Sequence, residues 1–114
     1  MKELTTKVIA WAHERGIFDP ENGSSAIVQT SKLMEEVIEL RDELLKFDLE
    51  ECAWVVNGAR SRLIELELGD CLVVLTLIAE FQDTTLEECL VAAYSKIKDR
   101  KGKMVCGKFV KEGD

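Results

Sequence analysis

Acidic side chains at two places in the chain have a spacing that is suited to binding a metal ion. The first group is Glu35-Glu36-Val37-Ile38-Glu39, and the second is Glu67-Leu68-Gly69-Asp70. Each group holds two carboxylates three residues apart, about 60° from one another around a helix axis. Carboxylate oxygens are the ligands that Mg²⁺ and Mn²⁺ prefer. The two groups together predict a divalent-cation site between two facing helices.

The second group is expected to be buried among apolar side chains, and buried carboxylates require a neutralising partner such as a cation. Glu67 and Asp70 fall on the same helical stripe as apolar residues and are predicted to be buried, whereas Glu65 falls on the opposite side and serves as a solvated control. Carboxylates about 4 Å apart repel by roughly 4 kcal/mol at an effective dielectric constant of 20. Protonation, a basic partner or a cation must neutralise them. Either group alone fits a solvated helix face or an acid paired with Arg or Lys, and the presence of both favours a metal.

Other metal sites fit the sequence poorly. A di-iron bundle needs Glu-x-x-His on two helices, but the chain has one histidine, His13. The 12-residue loop of an EF-hand is absent from the sequence. The four cysteines contain no C-x-x-C pair, which argues against zinc. Because the many Leu, Ile and Val residues can form a core without disulfide bonds, we expect reduced thiols in a cytoplasmic protein.

The apolar periodicity predicts an all-α, four-helix bundle that forms a single domain over residues 1–114. We expect helices over about 4–15, 26–46 and 61–81, and a fourth that opens with the capping box Thr85-x-x-Glu88 and ends near Lys101. The third helix is apolar around much of its circumference, so we expect it to be central and largely buried. Residues 47–60 predict a short helix over 49–56 and a turn at Asn57-Gly58. The tail from Lys103 to Val110 is predicted to be extended or a short hairpin.

The charge is unevenly distributed along the chain, which carries a formal net charge of −7. Residues 1–95 have a net charge of −11, whereas residues 96–111 have a net charge of +6. An acidic body repels DNA and anionic lipid, so we expect neither a long nucleic acid nor a membrane as partner. The longest apolar run falls far below the roughly 20 residues that span a bilayer. A small anion bound through a metal ion remains a possible partner, because the acidic body could bind the metal and the basic residues 96–111 could bind the anion.

The ordered set of motifs resembles the MazG-like, all-α nucleoside triphosphate pyrophosphohydrolases. Their EExxE…ExxD signature matches the two acidic groups. The short MazG-like proteins of bacteria and phages share further segments with residues 5–111, excluding the poorly matched stretch 47–60. These segments are Trp11-Ala-His-Glu-Arg-Gly-Ile, Lys32-Leu-Met-Glu-Glu, Glu67-Leu-Gly-Asp-Cys-Leu-Val-Val-Leu, Ile97-Lys-Asp-Arg-Lys-Gly-Lys and Gly107-Lys-Phe-Val-Lys.

The resemblance implies hydrolysis of a nucleoside triphosphate between the α- and β-phosphates, commonly to remove noncanonical or surplus nucleotides. It implies Mg²⁺, with Mn²⁺ as an alternative, bound by Glu36, Glu39, Glu67 and Asp70. It also implies catalytic roles for Glu35, Glu36 and Glu39. Of these, Glu35 would support the ligands or orient the attacking water.

The resemblance extends to phosphate binding. Lys96 and Arg100 match an Asn-x-Lys-x-x-x-Arg element of longer relatives, but Tyr94 replaces its Asn. We expect Lys103 to extend this phosphate-binding end. Lys32, one turn before Glu36, is expected either to contact a phosphate or to form an ion pair with Glu36.

Base recognition and assembly are the least determined by sequence. Trp11 is a candidate for stacking on the base, as is Trp54, although aromatic residues at helical spacing also fit a core. Family resemblance and the apolar third helix predict a homotetramer or homodimer. Two alternatives remain: a non-catalytic helical interaction module whose acids pair with the basic tail, and a phosphoribosyl-ATP pyrophosphatase of the same superfamily.

Overall fold

The computed structural model describes the backbone of residues 2–49 and 53–113 and the side chains of residues 2–46 and 62–113. Four helices and a two-stranded hairpin make up the regular structure of these residues. In chain order they are α1 (Lys2–Glu14), a 3₁₀ turn (Pro20–Asn22), α2 (Ala26–Leu49), α3 (Ala53–Phe81), α4 (Leu86–Ile97), β1 (Gly102–Val105) and β2 (Lys108–Lys111). The predicted all-α fold with a short C-terminal tail is confirmed.

Local sequence signals determine where three helices begin or end. Gly16 follows α1 in a left-handed conformation, with φ of +78°, which glycine adopts without steric cost. At the start of α2, the Ser25 Oγ accepts a hydrogen bond from the Val28 N–H at 3.2 Å. At the start of α4, the Thr85 Oγ1 accepts one from the Glu88 N–H at 3.0 Å. Both hydroxyls satisfy backbone donors that a helix leaves unpaired at its first turn.

Two predicted boundaries are wrong. The third helix begins at Ala53 rather than near residue 61, so Asn57-Gly58 is helical and not a turn. Of the predicted short helix over 49–56, residues 53–56 belong to α3, and residues 50–52 lie outside the described residues. An interior glycine costs a helix only about 1 kcal/mol, and a 29-residue helix without proline tolerates that. The fourth helix ends at Ile97, not near Lys101.

The hairpin explains the early end of α4. Gly102 pairs with Lys111, and the Glu112 N–H donates to the Lys101 carbonyl at 2.7 Å, so the chain is already extended at residue 101. Cys106 and Gly107 form the turn, with φ of +49° and +79°. Positive φ at both central residues is typical of the tight turns that match the twist of a hairpin.

The chain divides into two compact units, residues 1–84 and residues 85–114. The first unit holds α1, α2 and α3, with α2 and α1 both packed on α3. The second holds α4 and the hairpin. The single domain over residues 1–114 stays a prediction.

The core of the first unit lies around the C-terminal half of α3. Its buried apolar side chains are Ala12, Cys71, Val74, Leu77 and Ala79. Earlier on the same helix, Leu63 and Leu66 are exposed. The expectation of a largely buried third helix is therefore correct only after Asp70, because the apolar surface before it has no covering element among the described residues. Within the described ranges, the helices lack a stretch of the length and hydropathy that crossing a bilayer requires.

Candidate active site

The four predicted metal ligands come together between α2 and α3. Glu36 and Glu39 project from α2, and Glu67 and Asp70 project from α3. One carboxylate oxygen of each lies within 4.8 Å of the others. This arrangement follows from the spacing of three residues on two helices that pack along one another. The predicted convergence of the two acidic groups is thus what the structure shows.

The cluster is buried on one side and open on the other. Glu36 is 7% exposed and Glu67 is half-buried, whereas Glu39 and Asp70 are exposed. The prediction that Asp70 is buried is wrong, because the covered part of α3 begins one residue later at Cys71. A cation could therefore enter from solvent on the side of Glu39 and Asp70, and the carboxylates of Glu36 and Glu67 would contact it on the buried side.

Two carboxylate oxygens of the cluster lack a hydrogen-bond partner among the described residues. They are the Oε2 atoms of Glu36 and Glu67, both fully buried. Buried polar atoms are rarely left unsatisfied, since the loss of hydration costs about 1–3 kcal/mol and more for charged groups. A hard divalent cation would satisfy both atoms, so these residues fit such an ion.

The negative charge of the cluster changes the pKa of groups within it and next to it. The charge of Glu36 and a hydrogen bond with it raise the pKa of the Glu39 carboxyl. Burial and the charge of Glu67 raise this pKa further, whereas the charge of Lys32 lowers it. Burial raises the pKa of the Cys71 thiol, and the four acids of the cluster add to this rise. The carboxylates of the cluster contribute to both shifts.

Lys32 forms the predicted ion pair with Glu36, at 3.2 Å, and a second one with Glu35, at 3.4 Å. Hydrogen bonds to these two acids are the main causes that raise the pKa of Lys32. The Glu35 side chain is 67% exposed and lies outside the group of four. Glu65, the predicted solvated control, is exposed and pairs with Arg62 at 3.7 Å.

A cleft of about 390 Å³ adjoins the cluster and lies wholly within the first unit. Lys32, Glu36 and Asp70 line its charged end. The remaining lining residues are Trp11, Ile17, Val28, Gln29, Val73, Val74 and Leu77. The structure thus places Trp11, 44% exposed, beside the acidic cluster. The side chain of Trp54 lies outside the described residues.

Sequence reasoning missed Gln29 as a lining residue of this cleft. It stands seven residues before Glu36, which is two helical turns and therefore the same face of α2. That spacing is the signal that could have found it.

The second unit contains its own open cleft of about 420 Å³. Lys96, in the last turn of α4, and Arg100, three residues beyond the end of that helix, line it together. Its other lining residues are Asp99, Lys101, Lys111 and Glu112. Lys103 lies on β1 and does not line this cleft, so two of the four predicted phosphate-binding residues come together here. Lys32 lines the cleft of the first unit instead.

The fold and the acidic cluster define a helical protein with a site suited to a divalent cation. The family model described as the MazG nucleotide pyrophosphohydrolase domain matches residues 25–105, a range that contains both acidic groups. The chain belongs to this family. Membership supports nucleotide pyrophosphohydrolase activity in general, and MazG-type enzymes are metal-dependent. No curated protein and no solved structure matches the chain.

Proposed function

We propose that the protein hydrolyses ribo- or deoxyribonucleoside triphosphates, with Mg²⁺, to the nucleoside monophosphate and pyrophosphate. The observation that carries the proposal is the convergence of four carboxylates with two buried, unpartnered oxygens. A non-catalytic module with fully paired acids would satisfy those two atoms within the protein. Their lack of partners therefore favours the enzyme. Removal of surplus or noncanonical nucleotides in the cytoplasm is the role that we propose for it.

Glu36, Glu39, Glu67 and Asp70 are the residues that would hold Mg²⁺, or Mn²⁺ in its place. A bound divalent ion supplies charge that offsets the negative charge of phosphate oxygens during hydrolysis. The exposed side of the cluster, formed by Glu39 and Asp70, is where the substrate phosphates would approach.

Glu35 acts as a positioning residue in this proposal. It shares Lys32 with Glu36, so it fixes the Lys32 ammonium beside the cluster. Its exposed carboxylate can also accept a hydrogen bond from the attacking water and orient that water. Lys32 lines the cleft at its charged end and would contact a phosphate there.

We further propose roles in phosphate binding and base stacking for the remaining predicted residues. Lys96 and Arg100 would bind phosphate oxygens, and Lys103, outside their cleft, would contribute only its charge. Trp11, which lines the cleft beside the acidic cluster, would stack on the base.

We also propose that the protein is a homotetramer or homodimer. None of the side chains of α4 is buried, and four of its large apolar residues are 47–68% exposed: Leu90, Val91, Tyr94 and Ile97. Contiguous exposed apolar surface of this kind marks an interface. Light scattering at micromolar concentration should report two or four chains per particle, and a monomer would contradict the proposal.

Pyrophosphate release across a panel of nucleoside triphosphates with Mg²⁺ tests the function. The panel includes phosphoribosyl-ATP, so that the related pyrophosphatase activity gives a separate positive result. We expect Glu39→Gln and Asp70→Asn to lose at least about 100-fold in rate. Glu65→Gln, an exposed acid on α3, is the matched control and should retain full activity. A wild type that hydrolyses no substrate, or fully active cluster variants, would contradict the proposal.

A further inference from the structure

One side of α2 carries a row of exposed apolar side chains that faces away from the acidic cluster. The four members of the row are 47–75% exposed: Ile27, Met34, Ile38 and Leu45. They lie about 160–200° around the helix from Glu36, which faces α3 as part of the cluster. Single exposed apolar residues are common, but a row of them about 27 Å long on one helix is typical of a protein–protein contact.

The spacing of this row is that of one helix of a coiled coil. Alternating steps of four and three residues connect positions 27, 31, 34, 38, 41 and 45, and we call these six positions the α2 seam. Ser31 and Arg41 occupy the two positions of the seam that are not apolar. Such alternating steps keep side chains on one line along a helix, where a second helix packs against them. The α2 seam therefore fits a helix lying along its whole length.

The α2 seam is symmetric about its midpoint, which makes it complementary to itself. Positions 27 and 45, positions 31 and 41, and positions 34 and 38 all have position 36 as their centre. Antiparallel packing of α2 on the same helix of a second copy would place Ile27 against the partner's Leu45. It would also place Met34 against the partner's Ile38. Two-fold symmetry makes each of these apolar contacts twice.

Arg41 decides between the two directions in which the helices could pair. A parallel pair places Arg41 against the partner's Arg41, and two like charges in contact repel. An antiparallel pair places Arg41 against the partner's Ser31, whose hydroxyl can accept a hydrogen bond from the guanidinium. The antiparallel direction therefore gives every position of the α2 seam a compatible neighbour, whereas the parallel direction does not.

We propose that the α2 seam is an interface with the α2 seam of a second copy, packed antiparallel about a two-fold axis. The seam lies wholly in the first unit and shares no residue with the exposed face of α4. Two such self-complementary surfaces on one chain can close a tetramer, and one gives a dimer. The inference rests on the proposed self-association, but it does not depend on the proposed hydrolysis.

Light scattering of the full chain at micromolar concentration tests the interface. Ile38→Glu and Met34→Lys each place a charge in the α2 seam, so each should halve the mass of the wild-type particle. An equimolar mixture of the two variants should recover the wild-type mass, because antiparallel pairing brings the introduced ammonium beside the introduced carboxylate. Leu4→Glu changes a 65% exposed residue of α1 outside the seam. It is the matched control and should keep the wild-type mass.

The same variants distinguish failure of the interface from failure of the other proposals. Both should keep the helical circular dichroism and the Mn²⁺ binding of the wild type, because the α2 seam faces away from the cluster. An oligomeric wild type whose mass neither substitution changes would overturn the interface and leave self-association through another surface. A mixture that recovers no mass, or an equal loss of mass in Leu4→Glu, would overturn the antiparallel pairing. A monomeric wild type would overturn both the interface and self-association, whereas an oligomer that releases no pyrophosphate would contradict only the proposed hydrolysis.

Discussion

The acids on the inner and outer sides of α2 and α3 differ although their residue types are the same. On the outer side, Glu35 pairs with Lys32 and Glu65 pairs with Arg62, three residues away along the same helix. On the inner side, buried oxygens of Glu36 and Glu67 lack a hydrogen-bond partner in the described part of the chain.

The difference shows which acidic charges a nearby residue on the same helix can neutralise and which it cannot. An outer acid obtains its cation from the next helical turn, and such exposed pairs contribute only about 0–1 kcal/mol to stability. The inner side brings four carboxylates together from two helices, and among the described residues Lys32 is the cation that pairs with one of them. A cation from outside the chain would therefore neutralise the inner side, whereas the outer acids already have partners on their own helices.

The largest expected effect compares two adjacent residues. Glu36→Gln should reduce pyrophosphate release by at least about 100-fold, because it removes the buried ligand of the cluster. Glu35→Gln should reduce it by about tenfold, since Glu35 acts through Lys32 and the attacking water. Equal losses in the two variants would remove the functional distinction between inner and outer acids.

Cation binding should stabilise the fold through the inner acids alone. At a Mg²⁺ concentration about 100 times its Kd, the free energy of unfolding of the wild type should rise by about 2.7 kcal/mol. Glu67→Gln should show little of this rise in thermal melts with and without Mg²⁺. The outer-side variant Glu65→Gln should show all of it, and the same loss in both variants would contradict the account.

Lys32 joins the two sides, so its loss should have an intermediate effect. Lys32→Met should raise KM by about tenfold, because a charge-assisted contact to phosphate is removed. Arg62→Met breaks only an outer pair and should leave KM unchanged. Steady-state kinetics on one triphosphate measures both variants, and an equal KM in the two would assign Lys32 to the ion pairs alone.

The smallest expected effect is the pH dependence of the metal-free protein. The pKa of Glu39 is raised above its ordinary value of 4.5, so the native state binds this proton more tightly than the unfolded state. The resulting stability is present at acidic pH and is lost as pH rises through the native pKa. In EDTA, the Tm of Glu39→Gln should therefore rise relative to that of the wild type from about pH 4 to pH 7. Glu65→Gln should follow the wild type, and parallel curves for Glu39→Gln would contradict the explanation.

The parts of the fold that local chemistry determines could be predicted from the sequence. Ser25 and Thr85 cap helices through their own hydroxyls, and the i, i+3 spacing of the acids gave four of the site residues. The boundaries that failed depend on distant partners. The early end of α4 follows from the pairing of residues 102–105 with 108–111.

Tertiary packing determines the rest of the site. Asp70 is exposed because the cover over α3 begins only at Cys71, which the helical periodicity does not reveal. Gln29 lines the cleft because α1 and α3 close the space in front of it. The role of Lys32 was open in the sequence, since both an ion pair and a phosphate contact fit its position, and the structure adds its pairs with Glu35 and Glu36.

Direct binding of Mn²⁺, followed by the loss of the free-ion signal in electron paramagnetic resonance, tests the central claim that the inner acids form a cation site. The account predicts saturable binding to the wild type, at least about tenfold weaker binding to Glu67→Gln and unchanged binding to Glu65→Gln. Absence of saturable binding to the wild type, or equal binding to the two variants, would contradict it.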